Sequence, residues 1–376
     1  MTATTPPGDG DSPKPPEFIG PQAPDGPRAP DGPRTSSTAL PLSSAGIIAV
    51  LLVVAAIGGG LAVGTIARPS PSPRPTPTPS PAPTPTPQPT TDPAVFRQTL
   101  SSGCATEQGL WVVSNGGGLV RYNGKDWVQV DGTLRSLTQT SCDAGTLYAV
   151  GPVGAVLILD DRARQIQSFD VTLEDLRGVA AMPEGAMVAG THGTVLLLSG
   201  GAWQPYARGL EEDLNALVVF ELQSAWAVGS QGISYRLEAA GWRSIPTGAT
   251  VELRAVSATS PQSAIAAGDE GTLLVFDGSW KQVETGVTAN LRSIGRLGSA
   301  EWIVGDAGTV LILDAAGGDH TVPGIRPPTK FDLGTTCDLR NVFVSGQDVW
   351  IIGGRGGVSG VWRIRGGKVA ERWGEC

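Results

Sequence analysis

Leu253-Arg-Ala-Val-Ser-Ala-Thr-Ser-Pro-Gln-Ser-Ala-Ile-Ala-Ala-Gly268-Asp-Glu-Gly271-Thr-Leu-Leu-Val-Phe-Asp-Gly278-Ser-Trp280-Lys-Gln-Val-Glu284 contains four short apolar runs cut by three turns. Strands this short, bounded by Gly and Asp-Gly, argue for a meander of antiparallel strands. The paired glycines at the central turn predict a two-residue hairpin, where a positive φ costs glycine little.

The glycine step recurs along the chain. It begins at Ser114, Gly151, Gly190, Gly229, Gly268, Gly305 and Gly353, with spacings of 37, 39, 39, 39, 37 and 48. A fixed period of this size means one supersecondary unit copied, with its core shared between neighbours. Four strands in about 40 residues is the arithmetic of a propeller blade. The sequence therefore predicts an all-β, seven-bladed β-propeller over residues 94–376. Each blade starts at its own inner strand, so no strand is expected to be borrowed from the opposite terminus.

Three segments of different character precede the ring. Residues 1–44 are rich in Pro, Gly, Asp and Ser, cannot bury a core and are expected to be disordered. Residues 45–67 are 23 uncharged, mostly apolar positions, long enough for one transmembrane helix and too far from the N-terminus for a signal peptide. Residues 68–93 form a stalk, with proline at every odd position from Pro69 to Pro89. Alternating proline holds polyproline II, which at ~3.1 Å per residue reaches up to about 75 Å.

Arginines flank both sides of the span (Arg28 and Arg34, Arg68 and Arg74), so charge bias does not orient it. The cysteines do. Cys104, Cys142, Cys337 and Cys376 all fall in the ring region, an even number consistent with an oxidising compartment. The expected location is the cell membrane, single-pass, with a cytoplasmic N-terminus and an extracytoplasmic propeller. Cys104 and Cys142 end the inner strands of adjacent blades, and Cys337 and Cys376 bracket the last blade. The pairing 104–142 and 337–376 keeps each bridge on one face. Wide spacings and only two histidines, His192 and His320, speak against zinc, and no cofactor is implied.

From Phe96 onward, 22 basic and 29 acidic residues leave a net charge of −7. That argues against nucleic acid as partner. There is no Gly-x-Ser-x-Gly elbow, no His-Glu-x-x-His and no Gly-Lys-Ser/Thr phosphate loop. The recurrent Trp127, Trp203, Trp242 and Trp280 read as packing between blades. One set of residues suggests a site. Arginine follows the first apolar residue of the inner strand in six blades, at Arg97, Arg135, Arg177, Arg254, Arg292 and Arg340, with Asn215 in blade four. They are expected to ring the channel mouth on the face of the glycine steps. There they either hold carboxylates of an acidic peptide or serve each blade by bonding loop carbonyls and neighbouring acids.

The unit Leu-Arg-x-Val, Trp-Ala-Val-Gly-x-x-Gly and Asp-Gly-x-Trp, clearest at Leu214, Trp226–Gly229, Trp242, Leu253, Gly268, Gly271 and Asp277–Trp280, resembles the bacterial neuraminidase-repeat propellers. Within these it is most similar to the photosystem II assembly and stability factor propellers. The resemblance covers the ring and none of residues 1–93. It implies a non-enzymatic ring that binds a protein or peptide as an assembly scaffold. The alternative is a glycan-binding or sialidase-like, glycan-active propeller. A hydrolase needs a Tyr/Glu nucleophile pair at the channel, whereas Tyr122, Tyr148, Tyr206 and Tyr235 fall in second to fourth strands. The topology is tested with protease added to intact cells. Cleavage in the stalk should release a fragment near the size of residues 94–376. Protection of the ring with cleavage in residues 1–44 would reverse the assignment.

Overall fold

The computed structural model describes residues 93–130, 135–314 and 326–376. The expected tail (1–44), span (45–67) and stalk (68–93, apart from Pro93) lie outside the described residues. Among the described residues, no helix is long and apolar enough to cross a membrane.

Seven four-stranded antiparallel sheets follow one another, each pairing its strands in chain order. The chain is thus a seven-bladed propeller in which every blade comes from a single repeat. The inner strands are Leu100–Thr106, Gln139–Cys142, Leu176–Met182, Leu214–Glu221, Leu253–Ser260, Leu291–Leu297 and Asp338–Ser345. Each touches the next, and the last touches the first, around the axis.

The glycine step is a hairpin, but not with the two-residue turn the sequence suggests. In blades three to six it is a single 3-10 turn over Thr191–Gly193, Ser230–Gly232, Asp269–Gly271 and Asp306–Gly308. The second glycine has a positive φ, from 65° to 73°, and so does the residue before it: His192, Gln231, Glu270 and Ala307. The first glycine is extended and is required for a different reason. A Cβ on Gly268 would fall inside the van der Waals shell of the Glu252 carbonyl, and Gly151, Gly190, Gly229 and Gly305 meet their inner strands in the same way. The backbones are then close enough for Asp269 N–H to bond the Glu252 carbonyl at 2.9 Å, with equivalents at Thr191, Ser230 and Asp306. Blade seven has the two-residue turn, Gly356-Gly357, between Arg355 and Val358.

Beside this step six of the seven inner strands carry one extra residue. Leu253 pairs with Gly268 and Ala255 with Ala267, leaving Arg254 as the extra residue of a bulge. Ser101, Arg177, Asn215, Arg292 and Arg340 occupy the same position in their blades. A bulge re-aims its side chain away from the sheet face.

The core lies between blades rather than within them. Seven buried apolar clusters occupy the seven seams, one per pair of neighbours. In the closing seam, between blades seven and one, Tyr122, Trp127, Trp350 and Trp373 pack with ring centroids 5.0 to 6.0 Å apart. Asn341 Oδ1 accepts from the Gly103 N–H at 3.0 Å, and Ser359 Oγ from the Leu100 N–H at 3.0 Å. Both expected disulfides are present, with Cα–Cα distances of 5.7 Å for Cys104–Cys142 and 6.1 Å for Cys337–Cys376. The first ties blade one to blade two, and the second ties the chain end to the start of blade seven.

The two kinds of glycine are separable by mutation. Gly268→Ala must push two backbones apart and should lower stability by about 2–3 kcal/mol. Gly248→Ala, at φ 78° with open space around it, should cost only about 1 kcal/mol, the penalty of the left-handed conformation. Chemical denaturation of the two variants checks the order, and equal losses would refute the close-approach account.

Candidate binding mouth of the ring

On the face of the glycine turns the channel opens into a cavity of about 500 Å³. Its wall takes one side chain from each inner strand at the bulge or its equivalent: Ser101, Thr138, Arg177, Asn215, Arg254, Arg292 and Arg340. Below it the axial channel encloses about 340 Å³ among the inner strands, with Gly103, Gly178, Ala216 and Ala255 among its small residues.

Four of the six expected arginines are brought together here. Arg97 and Arg135 are not. The inner strand of blade two starts three residues later than Leu134-Arg135 suggests. The buried residue against Gly151 is Leu137, which makes Thr138 the wall residue. Arg135 lies in the preceding segment and pairs with Asp170. In blade one the residue paired with Ser114 is Leu100, so Ser101 takes the ring position. Arg97 is exposed, just after the 3-10 turn Pro93–Phe96.

Three of the four mouth arginines are engaged with acids. Arg254 grips Asp269 of its own turn through Nε and Nη2, the latter at 2.7 Å from Oδ2. This bond holds the Arg254 guanidinium above its usual pKa. Arg292 grips Asp306 in the same way, with Nη2–Oδ2 at 2.9 Å. Arg177 reaches blade four, at 3.1 Å from both Asp213 Oδ2 and Asn215 Oδ1. Asn215 continues the chain to Glu252 Oε1 at 2.6 Å and the Leu253 carbonyl at 2.9 Å. Arg340 differs. Its Nη1 donates one long bond, 3.4 Å, to the Leu100 carbonyl, and burial pulls its pKa below the usual range.

The residue just before the inner-strand leucine completes the seam. Asp175, Asp213, Asn290 and Asp338 each accept from the N–H of the left-handed residue of the preceding blade's turn: Val153, His192, Glu270 and Ala307, at 2.9 to 3.2 Å. Sequence reasoning passed over this position, although a recurring Asp/Asn/Glu before Leu is its signal. Around the mouth, four guanidinium groups now stand against the carboxylates of Asp175, Asp213, Glu252, Asp269, Asp306 and Asp338. The opening is not the basic well that six free arginines would make.

Two clusters elsewhere have the residue types of catalysis without the arrangement. Tyr235 Oη donates to Glu212 Oε2 at 2.5 Å. Burial and that carboxylate push the phenol's pKa strongly up, the reverse of what a nucleophile needs. Glu174 Oε2 meets both Thr191 Oγ1, at 2.7 Å, and His192 Nδ1, at 2.6 Å. The hydroxyl therefore faces a carboxylate and not the imidazole. Among the described residues, no cluster of His, Cys, Asp and Glu has the arrangement of a metal site.

Solved structures place this architecture. The WD40 β-propeller domain of Doa1 superposes with a TM-score of 0.59 at 12% identity, covering 70% of this chain and 92% of that one. YCF48 from Cyanidioschyzon merolae gives 0.58 at 11%, covering 73% and 97%. YCF48 bound to D1 peptide gives 0.57 at 15%, covering 72% and 93%. The fold is theirs. No protein-family model matches the chain, and no curated protein matches it either. At these identities the likeness extends to the propeller fold.

If the ring arginines serve their blades, Arg254→Ala should cost about 1–2 kcal/mol by leaving a half-buried Asp269 unpaired, tempered by its partial exposure. Asp269→Ala should cost a similar amount, and the double variant less than the sum. Melting curves of the four proteins decide. Strict additivity would deny the pair a structural role.

Proposed function

We propose that the chain is a membrane-tethered recognition module whose propeller stands outside the cytoplasm and binds a segment of another protein at its mouth. The carrying observation is the mouth itself, an opening of about 500 Å³ into which every blade aims one residue and whose lining in blades seven, one and two, among the described residues, is not bridged by an arginine–acid pair. Ser101, Asn115, Thr138 and Arg340 face it there. A peptide is the ligand class that uses hydroxyls, an amide and one guanidinium along a shallow opening. YCF48 has been solved with a D1 peptide bound, so the fold accommodates such a ligand.

Residues 45–67 and 68–93 supply the tether in this reading, as one apolar span and a proline stalk. Two disulfides in a ring of this size support an oxidising compartment. The module acts by binding rather than by turnover. The engaged state of Arg177, Arg254 and Arg292 removes the reason to demand a strongly acidic partner. Tyr235, held as a phenol, argues against the glycan-hydrolysing alternative.

Site-specific photo-crosslinking tests the reading in the cells that make the protein. A benzophenone side chain at position 138, facing the mouth, should trap a discrete partner. One at position 281, on the outer strand Trp280–Gln282, should not. The same product from both positions, or product from position 281 alone, would move binding off the mouth.

A further inference from the structure

Blade two departs from its neighbours at the mouth. Its glycine turn reads Gly151-Pro-Val-Gly154, and Val153 sits at φ 53°. A β-branched residue in the left-handed region is an outlier that folding does not favour. Blades three to six place His192, Gln231, Glu270 and Ala307 there, so no β-branched residue is required by the turn. Val153 is nevertheless 55% exposed, and Leu173, in the loop that leads to blade three, is 87% exposed, the most of any large apolar residue among those described. The two sit on one knuckle. Val153 N–H bonds Asp175 Oδ1 at 2.9 Å, Gly154 presses against the backbone of Thr172, and its carbonyl accepts from Val171 N–H at 3.0 Å. Pro152 carries the knuckle into the wall of the mouth. An isolated exposed leucine is ordinary. Strain together with two exposed apolar side chains at the edge of a cavity is not.

We propose that Pro152, Val153 and Leu173 are the anchor for a bulky apolar side chain of an extended peptide whose carboxylate, a few residues along, is received by Arg340. This rests on the reading of the mouth as a peptide site and names the peptide's chemistry. Charge selects that occupant. Arg177, Arg254 and Arg292 are matched by acids of the ring itself. Arg340 gives its one bond to a carbonyl, so it is the mouth cation left for an incoming carboxylate. Between Arg340 and the knuckle, blades one and two contribute Ser101, Asn115 and Thr138, uncharged groups suited to a peptide backbone. The ligand therefore lies across the sector of blades seven, one and two, apolar end on blade two and acidic end on blade seven.

The probe is a phage-displayed library of random 12-residue peptides, panned on the full chain in nanodiscs. Wild type should enrich sequences with a large aliphatic or aromatic residue two to five positions from an Asp, a Glu or a free C-terminus. Leu173→Ser should weaken a selected synthetic peptide about tenfold or more, as expected for one buried leucine. It should leave the melting temperature unchanged, because the residue is exposed. Val153→Gly should weaken it too while melting no lower than wild type. Arg340→Ala should abolish the preference for acid and spare the apolar one. No enrichment above the Leu173→Ser, Val153→Gly variant, or enrichment without an apolar position, overturns the anchor. Thr138→Trp separates the two readings. Loss of peptide on plugging the mouth with no effect of Leu173→Ser keeps the mouth and rejects the anchor. The opposite pattern rejects the mouth as the site and keeps the knuckle. Flotation with phosphatidylethanolamine and phosphatidylglycerol vesicles supplies the remaining arm. Vesicle binding by the wild type that Leu173→Ser abolishes, with peptide binding unaffected, would assign the knuckle to a lipid surface and overturn the proposal.

Discussion

In blades two to six the first glycine of the step lies against the backbone at the start of the inner strand, and that contact organises the face on which the mouth opens. Without a side chain, the second strand can come close enough for the next N–H to bond the carbonyl of the residue before the inner leucine. The inner strand accommodates the approach with a bulge. The bulge residue cannot lie in the sheet face, so it projects to the mouth. The left-handed residue before the second glycine offers an N–H, which an acid or amide of the next blade accepts. One steric requirement thus sets the ring residue, the turn and the hydrogen bond between blades.

Neighbour-to-neighbour coupling alone does not close a ring, because the last blade must recognise the first without the repeat's own regular seam. Here no strand is exchanged, and the closing seam is built from different materials. It holds four mutually packed aromatic rings, Tyr122, Trp127, Trp350 and Trp373, and Asn341 joins three blades by accepting from Gly103 N–H and donating to Ser293 Oγ at 3.4 Å. The two disulfides flank this seam, one fastening blade one to its successor and the other fastening the chain end to blade seven. Covalent links are placed where an array of repeats would otherwise fray.

The period, the number of blades and both cysteine pairings were legible because they are written as recurrences, which one sequence displays without any relative. The register of individual residues was harder. Leu134-Arg135 imitates the Leu-Arg pair of other blades, and Phe96-Arg97 imitates it more loosely. Distance to the glycine step separates them. The seated leucines Leu176, Leu214, Leu253, Leu291 and Leu339 precede their step by 14 or 15 residues, as do Leu137 and Leu100, whereas Leu134 and Phe96 precede theirs by 17 and 18. What the sequence could not show is whether an arginine near an aspartate is engaged by it. Asp269 and Asp306 lie 15 and 14 residues along the chain from Arg254 and Arg292, and they become their partners because the bulge turns each guanidinium back over its own turn.

A residue copied into most blades of a ring is best explained by what every blade needs, and the mouth arginines fit that rule. Arg254 and Arg292 stabilise their own turns, while Arg177 and Asn215 carry a hydrogen-bonded chain across two seams. Recognition of one partner requires something that is not copied, since seven equivalent positions cannot orient an asymmetric ligand. The departures from the repeat are therefore the informative positions: hydroxyls at 101 and 138 where arginine is usual, Arg340 without a gripping acid, and Val153 in a conformation valine resists. They fall in blades seven, one and two, consecutive around the ring across its closing seam. A sector that gives up the repeat's ion pairs gives up some of its stability. The aromatic seam and the two disulfides stand beside that sector, which allows the ring to keep it open.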